Sequence, residues 1–220
     1  SAKYDTLSEK ILKSIKKTFK EYKTQTECAL ALYFDIAEDK KAVAGQLNDM
    51  IRENGNKLKT GFVGTPFLLH ALSQNGYSET AYDLLLQEEF PSWLYSVKQG
   101  ATTIWEHWDG INDKGEFWSK DMNSFNHYAY GAVGDWLYGV AAGIRIDEPG
   151  YKKVTLAPQP DERLGYVKSS VKTPYGPLLS SWAYVDDAVK YKFIIPEDTT
   201  ATIILPDGRA LQNCTGEIQL

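Results

Sequence analysis

The chain contains 220 residues, 43% of them hydrophobic, with a formal net charge of −5 and a pI near 5.3. This apolar content can fill a core, which excludes a disordered chain, and the acidic balance argues against a nucleic-acid partner. No apolar run reaches the roughly 18–20 residues that span a bilayer, so we expect no membrane partner. Ser1 and Ala2 open the chain without an initiator Met or a visible signal peptide. We therefore expect a piece of a longer protein, whose compartment the sequence does not fix.

The first two thirds of the chain show the spacing of amphipathic helices. Leu7, Ile11, Ile15 and Phe19 recur every four residues and predict one buried stripe on the first helix. Thr65 and Ser78 are expected as N-caps of later helices. The further helices are predicted over residues 27–37, 43–51, 65–75 and 78–88, with a short one around Trp93.

A last helix is predicted from Ser124 to Gly143, and it contains Gly131, Gly134 and Gly139. Each glycine costs about 1 kcal/mol in a helix interior relative to alanine. Three together suggest that neighbouring elements approach closely, although tight core packing alone would give the same pattern. Residues 100–123, just before this helix, show no period and form a long connection, which in a compact domain is usually functional.

The apolar period becomes two after Pro149 and Gly150. Short alternating runs separated by turn signals predict an antiparallel β-sandwich of about 70 residues. We therefore predict a multidomain chain, α then β, with helical hairpins over residues 1–148 and the β-sandwich over 149–220. About seven helices joined by long loops suit either an α-solenoid or part of a closed α/α toroid, and the sequence shows no fixed repeat period.

The densest group of chemical side chains lies in residues 102–110. Glu106 is flanked there by Trp105, Trp108 and His107. Indole rings can stack on the apolar face of a sugar, and a carboxylate can move a proton or activate water. The alternative is that both tryptophans are core anchors and that Glu106 has a structural partner.

His127 is the second candidate, because it is expected at the start of the last predicted helix, where free backbone N–H groups lie. A lone histidine is more often a capping or core residue. His70, inside an apolar helix, is expected to be structural, and the carboxylates of Asp113, Glu116 and Asp121 are expected to be solvated. Cys28 and Cys214 form no metal-binding spacing, and motifs of serine hydrolases, phosphate loops and zinc proteases are absent from the sequence.

Three sequence blocks, in this order and spacing, resemble the bacterial α-L-rhamnosidase family. They are residues 61–66 (GFVGTP), 100–110 (GATTIWEHWDG) and 124–133 (SFNHYAYGAV). Residues 149–151 and 156–158 resemble that family's junction into its C-terminal β-sandwich. The resemblance covers nearly the whole chain but only the last part of a typical member.

This resemblance implies a partial (α/α)6 toroid and inverting hydrolysis of terminal α-L-rhamnose from a rhamnose-containing saccharide or glycoside. It implies no obligatory redox or organic cofactor, and we single out no residue as a metal ligand. Glu106 matches the general base of the family, and His127 matches a histidine that contacts bound rhamnose. Trp105 and Trp108 are expected to shape the substrate pocket.

The family's general acid lies upstream of the segment that this chain resembles, and nothing between residues 1 and 100 resembles that stretch. We therefore expect the chain to hold half of an active site and to be inactive alone. An incomplete toroid is expected to self-associate or to expose a large apolar patch. The alternatives are a non-catalytic carbohydrate-binding protein and another (α/α)6 toroid glycosidase.

Overall fold

The structure is a computed structural model that describes residues 2–220; Ser1 lies outside the described residues. Two compact units follow each other along the chain, one up to Val133 and one from Gly134 to Leu220. Among the described residues, no helix is both long and apolar enough to cross a membrane.

Six helices of the first unit precede the long connection. They are α1 (Ala2–Thr18), α2 (Gln25–Tyr33), α3 (Lys40–Glu53), α4 (Thr65–Gln74), α5 (Ser78–Leu85) and α6 (Trp93–Lys98). Helix α2 packs against α3 and α4, and α4 packs against α5, so consecutive helices form hairpins as predicted. The buried side chains between them include Leu47, Ile51, Leu68 and Leu72, all fully shielded from solvent.

The helix starts differ from prediction by one residue at two places. Thr65 and Ser78 are the first helical residues, and the N-caps are Gly64 and Tyr77. Thr65 directs its hydroxyl back to the carbonyl of Gly61 at 2.9 Å, so it closes the preceding turn.

The predicted buried stripe on α1 is wrong, because α1 contains no buried residue. Leu7 and Ile11 remain about half exposed, at 48% and 51%, and Phe19 is 59% exposed. The periodicity therefore predicts the helix and its apolar face correctly, but within residues 2–220 no neighbouring element buries that face.

The predicted continuous helix over 124–143 is also wrong. Residues 124–128 are non-helical, a 3-10 turn covers Ala129–Ala132, α7 covers Val133–Trp136, and a π-helical turn covers Leu137–Ala141. The cause is a competing backbone partner, since the N–H of His127 bonds the carbonyl of Ile104 at 2.8 Å. An alanine Cβ at Gly134 would meet no described atom within 4 Å, so this glycine does not mark a close approach.

The second unit consists of two four-stranded sheets. One has the order β1-β2-β6-β7 and the other the order β3-β4-β5-β8. The strands are β1 (Ile144–Ile146), β2 (Lys153–Leu156), β3 (Tyr166–Thr173), β4 (Gly176–Val185), β5 (Ala188–Ile195), β6 (Thr200–Ile204), β7 (Ala210–Cys214) and β8 (Gly216–Gln219). The α-then-β architecture is confirmed, with one difference from the predicted antiparallel pattern: β2 and β6 pair in parallel.

The buried core of this unit includes Leu156, Trp182, Phe193 and Ile203. The indole N–H of Trp182 donates to the carbonyl of Ala141 at 2.7 Å, which fastens the π-helical turn to β4. Strand β1 and this turn thus belong to the second compact unit, upstream of the predicted limit at residues 148–149. That limit remains a prediction.

Gly143 joins the π-helical turn to β1 and has a φ of +74°, where an added Cβ would collide with the backbone of Ala157 and Pro158. We expect Gly143→Ala to lower the free energy of unfolding by roughly 3 kcal/mol or more, because backbone strain and overpacking add. Gly134→Ala is the matched control, and we expect unchanged or slightly higher stability. Denaturant unfolding measures both, and equal stability of the two variants would contradict this account.

Candidate active site

The site is built on two chain segments that pair through their backbones. The N–H of Glu106 donates to the carbonyl of Ser124 at 3.0 Å, and the N–H of His127 donates to the carbonyl of Ile104 at 2.8 Å. The hydroxyl of Thr103 adds a bond to the carbonyl of Phe125. Glu106 and His127, which are 21 positions apart in the sequence, are thereby fixed on adjoining segments.

The connection between these segments is not structureless. Trp118 donates its backbone N–H to the carbonyl of Gly110, and Ile111 pairs with Phe117. The side chain of Asn112 closes the turn, because its Oδ1 accepts the backbone N–H groups of residues 114 and 116 at 2.9 and 3.0 Å. A small hairpin therefore returns the chain from residue 110 to residue 118.

Trp105 and Trp108 are nearly buried, with 6% and 9% of their surfaces exposed. Trp105 meets Phe125 edge to face at 5.2 Å between ring centroids. Trp108 stacks on Tyr130 at 3.7 Å and meets Trp93 edge to face at 5.3 Å. The surfaces of both indoles are therefore covered mostly by the protein itself. We call the rings of Trp93, Trp105, Trp108, Phe125 and Tyr130 the aromatic floor of the Glu106 segment.

Hydrogen bonds hold this aromatic floor in place. The hydroxyl of Ser96 on α6 donates to the carbonyl of Trp108 at 2.8 Å, and the indole N–H of Trp93 donates to the carbonyl of Tyr130 at 2.9 Å. Helix α6 thus supports both segments that carry the candidate residues. An alanine Cβ at Gly110 would lie 3.1 Å from rings of Trp105 and Phe125, so the turn also packs closely on this floor.

Glu106 is partly buried. Burial raises the pKa of the Tyr130 phenol above its ordinary value, and the negative charge of Glu106 raises it further. The carboxylate therefore lies close enough to the Tyr130 hydroxyl for the two groups to interact electrostatically.

His127 is held in one orientation. Its Nδ1 accepts the backbone N–H of Ala129 at 3.2 Å, so in the neutral imidazole the proton is carried by Nε2. The ring stacks on Phe62 at 4.7 Å with an interplanar angle of 18°, and on Tyr128 at 5.3 Å. The residue thus presents an Nε2–H donor from a ring that stacks on two neighbouring rings.

Tyr130 and Phe62 were not among the residues singled out from the sequence. Tyr130 contacts the indole of Trp108 and the ring of Phe62, and it feels the charge of Glu106. Phe62 lies in the block 61–66 and Tyr130 in the block 124–133. Their position in these blocks is the sequence feature that could have marked them as site residues.

The remaining sequence candidates lie elsewhere or face solvent. Asp113, Glu116 and Asp121 are exposed, and His70 is buried in α4, as expected. Within residues 2–220 no three His, Cys, Asp or Glu side chains are grouped as a metal-binding set.

The chain thus joins helical hairpins to a following β unit, and its candidate residues lie on two paired segments of the helical unit that pack on buried aromatic rings. The family model of the bacterial alpha-L-rhamnosidase 6 hairpin glycosidase domain matches residues 1–141. The model of the bacterial alpha-L-rhamnosidase C-terminal domain matches residues 143–217. The chain belongs to the bacterial α-L-rhamnosidase family.

Individual relatives agree with this assignment. An alpha-L-rhamnosidase of Formosa agariphila is 43% identical over 83% of this chain, and one of Streptomyces avermitilis is 38% identical over 83%. These matches cover 20% and 18% of the two relatives, so the chain spans about a fifth of their length.

Solved structures show the same fold. The crystal structure of an α-L-rhamnosidase from Aspergillus terreus matches 100% of this chain and 27% of its own, with a TM-score of 0.92 and 35% identity. The Streptomyces avermitilis enzyme, solved in complex with L-rhamnose, matches 99% of this chain and 23% of its own, with a TM-score of 0.88 and 33% identity.

The electrostatic link between Glu106 and Tyr130 can be measured. We expect Glu106→Gln to lower the pKa of Tyr130, because a nearby negative charge is removed, yet to leave it above the ordinary value because burial remains. An NMR pH titration with labelled tyrosine measures the shift, and Tyr130→Phe identifies the resonance. Glu116→Gln, on the exposed hairpin, is the control and should leave that pKa unchanged; no change in Glu106→Gln would refute the proximity.

Proposed function

We propose that this chain supplies the general base of the active site of an inverting α-L-rhamnosidase. That enzyme removes terminal α-L-rhamnose from a saccharide or glycoside. The observation that supports the proposal is the backbone pairing of two family blocks, which brings the segments of Glu106 and His127 together over buried aromatic rings. The relatives' names and the L-rhamnose complex of one of them point to the substrate.

Glu106 acts in this proposal as the general base. It takes a proton from the water that attacks the anomeric carbon, on the face of the sugar opposite the leaving group. Glu106 is partly exposed, so a water molecule can reach the residue from solvent.

His127 and the two tryptophans act on the substrate's position. The Nε2–H group of His127 donates to a hydroxyl of the rhamnose, since Nδ1 is already occupied. Trp105 and Trp108 shape the pocket from below, as their burial leaves little surface for direct stacking on a sugar. The base is thus aligned with the sugar before the reaction begins.

The general acid of the pair is proposed to come from the part of the relatives that this chain does not cover. Inverting enzymes need two carboxyl groups about 6.5–9.5 Å apart, with the water between base and sugar. Without the acid the rate falls by about 10²–10⁴-fold, and the missing part of the sugar pocket lowers it further. The 220-residue chain alone is therefore proposed to be inactive.

The decisive experiment restores the rest of the six-hairpin domain from the parent gene and follows hydrolysis of an aryl α-L-rhamnoside. Glu106→Gln is expected to lower kcat by about 10²–10⁴-fold, because the amide cannot accept the proton of the water. NMR of the first-formed sugar should show the β-anomer from the native enzyme, as inversion requires.

Glu116→Gln is the matched control. Glu116 is exposed, and its carboxylate accepts a hydrogen bond from the side chain of Asn112. The kcat of this variant should equal that of the native enzyme. Equal activity of native and Glu106→Gln proteins would end the base assignment. Absence of hydrolysis by the restored protein, with retained rhamnose binding, would favour a non-catalytic carbohydrate-binding protein.

We also propose that the isolated chain self-associates through the apolar face of α1. Tyr4, Leu7 and Ile11 on this face are 67%, 48% and 51% exposed, and association would remove them from water. Sedimentation velocity should show concentration-dependent oligomers that the double variant Leu7→Lys/Ile11→Lys abolishes. Lys13→Gln on the same helix is the control, and a native chain that stays monomeric at high concentration would contradict the proposal.

A further inference from the structure

The antiparallel sheet β3-β4-β5-β8 has two chemically different faces. Its inner face carries Leu178, Trp182 and Phe193, which are at most 2% exposed and form part of the β-unit core. Because successive side chains point to opposite faces, Ser181 and Ala183 of the same strand lie on the outer face. The outer face is therefore free of any role in this core.

A shallow trough runs along the outer face over β4. Ala183 pairs with Tyr166 on β3 and with Lys190 on β5. The small side chains of β4 are thus flanked on both sides by long ones, and they leave an open cavity of about 350 Å³. Two residues earlier on β4, Ser181 pairs with Lys168 on β3 and with Lys192 on β5.

The trough is basic in a chain whose net charge is −5. The strand residues of this outer face include four lysines and one carboxylate, Glu217. They are Lys168, Lys172, Lys190 and Lys192. Glu217 bonds Lys192 at 2.8 Å. Within residues 2–220 no carboxylate lies within 4 Å of the other three ammonium groups, so they remain available to an anion.

An aromatic ring lies at one end of the trough. Tyr166 is 69% exposed, which is unusual for a tyrosine on a strand whose opposite face is packed. Its ring can cover the apolar face of a sugar while its hydroxyl remains in water. The hydroxyl of Ser181 and the amide of Gln219 line the same cavity and can bond sugar hydroxyls.

We propose that this trough binds an oligosaccharide bearing carboxylate or sulfate groups, with a sugar ring on Tyr166 and its acidic groups beside Lys168 and Lys190. The exposed ring of Tyr166, the hydroxyl of Ser181 with the amide of Gln219, and the ammonium groups of Lys168 and Lys190 match the ring, the hydroxyls and the acid of such a ligand. The net negative charge of the chain disfavours long polyanions such as nucleic acids. The site lies wholly within the β unit and does not depend on the role of Glu106.

The test is an NMR titration of the whole 220-residue chain with an oligogalacturonate, a sulfated oligosaccharide of equal length and a neutral cello-oligosaccharide. We expect at least one acidic probe to shift amide signals of β3, β4 and β5, to bind about tenfold more tightly than the neutral one, and to weaken with added salt. The preferred acidic probe then distinguishes carboxylate from sulfate recognition.

Two variants locate the binding. Tyr166→Ala and the double variant Lys168→Gln/Lys190→Gln should each weaken the acidic probe by about tenfold. Lys172→Gln is the matched control, because this lysine lies on the same face but outside the trough lining, and it should bind as the native chain does. Thermal unfolding checks that each variant is folded.

Three outcomes would overturn the proposal. They are equal binding of neutral and acidic probes, no loss of binding in folded variants of the trough, and no binding of either acidic probe. Short single-stranded RNA that shifts the same amides while both acidic saccharides fail would assign the trough to nucleic acid instead.

Discussion

The candidate site depends on one backbone pairing, in which residues 104–106 bond residues 124–127. Backbone N–H and carbonyl groups of each segment bond the other segment instead of a helix of their own. This exchange places a carboxylate and an imidazole from distant positions on adjoining segments. It also explains why residues 124–128 are non-helical, although the sequence there predicts a helix.

The aromatic floor makes this pairing rigid. Trp93, Trp105 and Trp108 lie beneath the paired segments with Tyr130 and Phe125, and their rings contact one another edge to face or in stacks. Rings packed in this way resist displacement, and the indole and hydroxyl donors of α6 fix the carbonyls above them. The charged and polar groups are therefore oriented by packing rather than by salt bridges.

The two units use aromatic residues for different purposes. In the helical unit Trp93, Trp105 and Trp108 are buried near the site and support the paired segments. In the β unit Trp182 is buried in the same way, while Tyr166, on the same sheet, faces solvent beside lysines. The strand alternation separates these two uses, since a single sheet can contribute to the core with one face and offer a polar surface with the other.

The sequence by itself determined the helical hairpins, the change to strands, the family blocks and the identity of Glu106 and His127 as candidates. Local periodicity and short motifs encode these features, because each depends on neighbours within a few residues. Tertiary structure decided that residues 124–128 leave the helix, that β2 and β6 pair in parallel, and that Tyr130 stacks on Trp108 within reach of the charge of Glu106. It also decided that the stripe of α1 stays exposed. Each of these depends on a partner far away in the chain, or on the lack of one among residues 2–220, and no local pattern records such a partner.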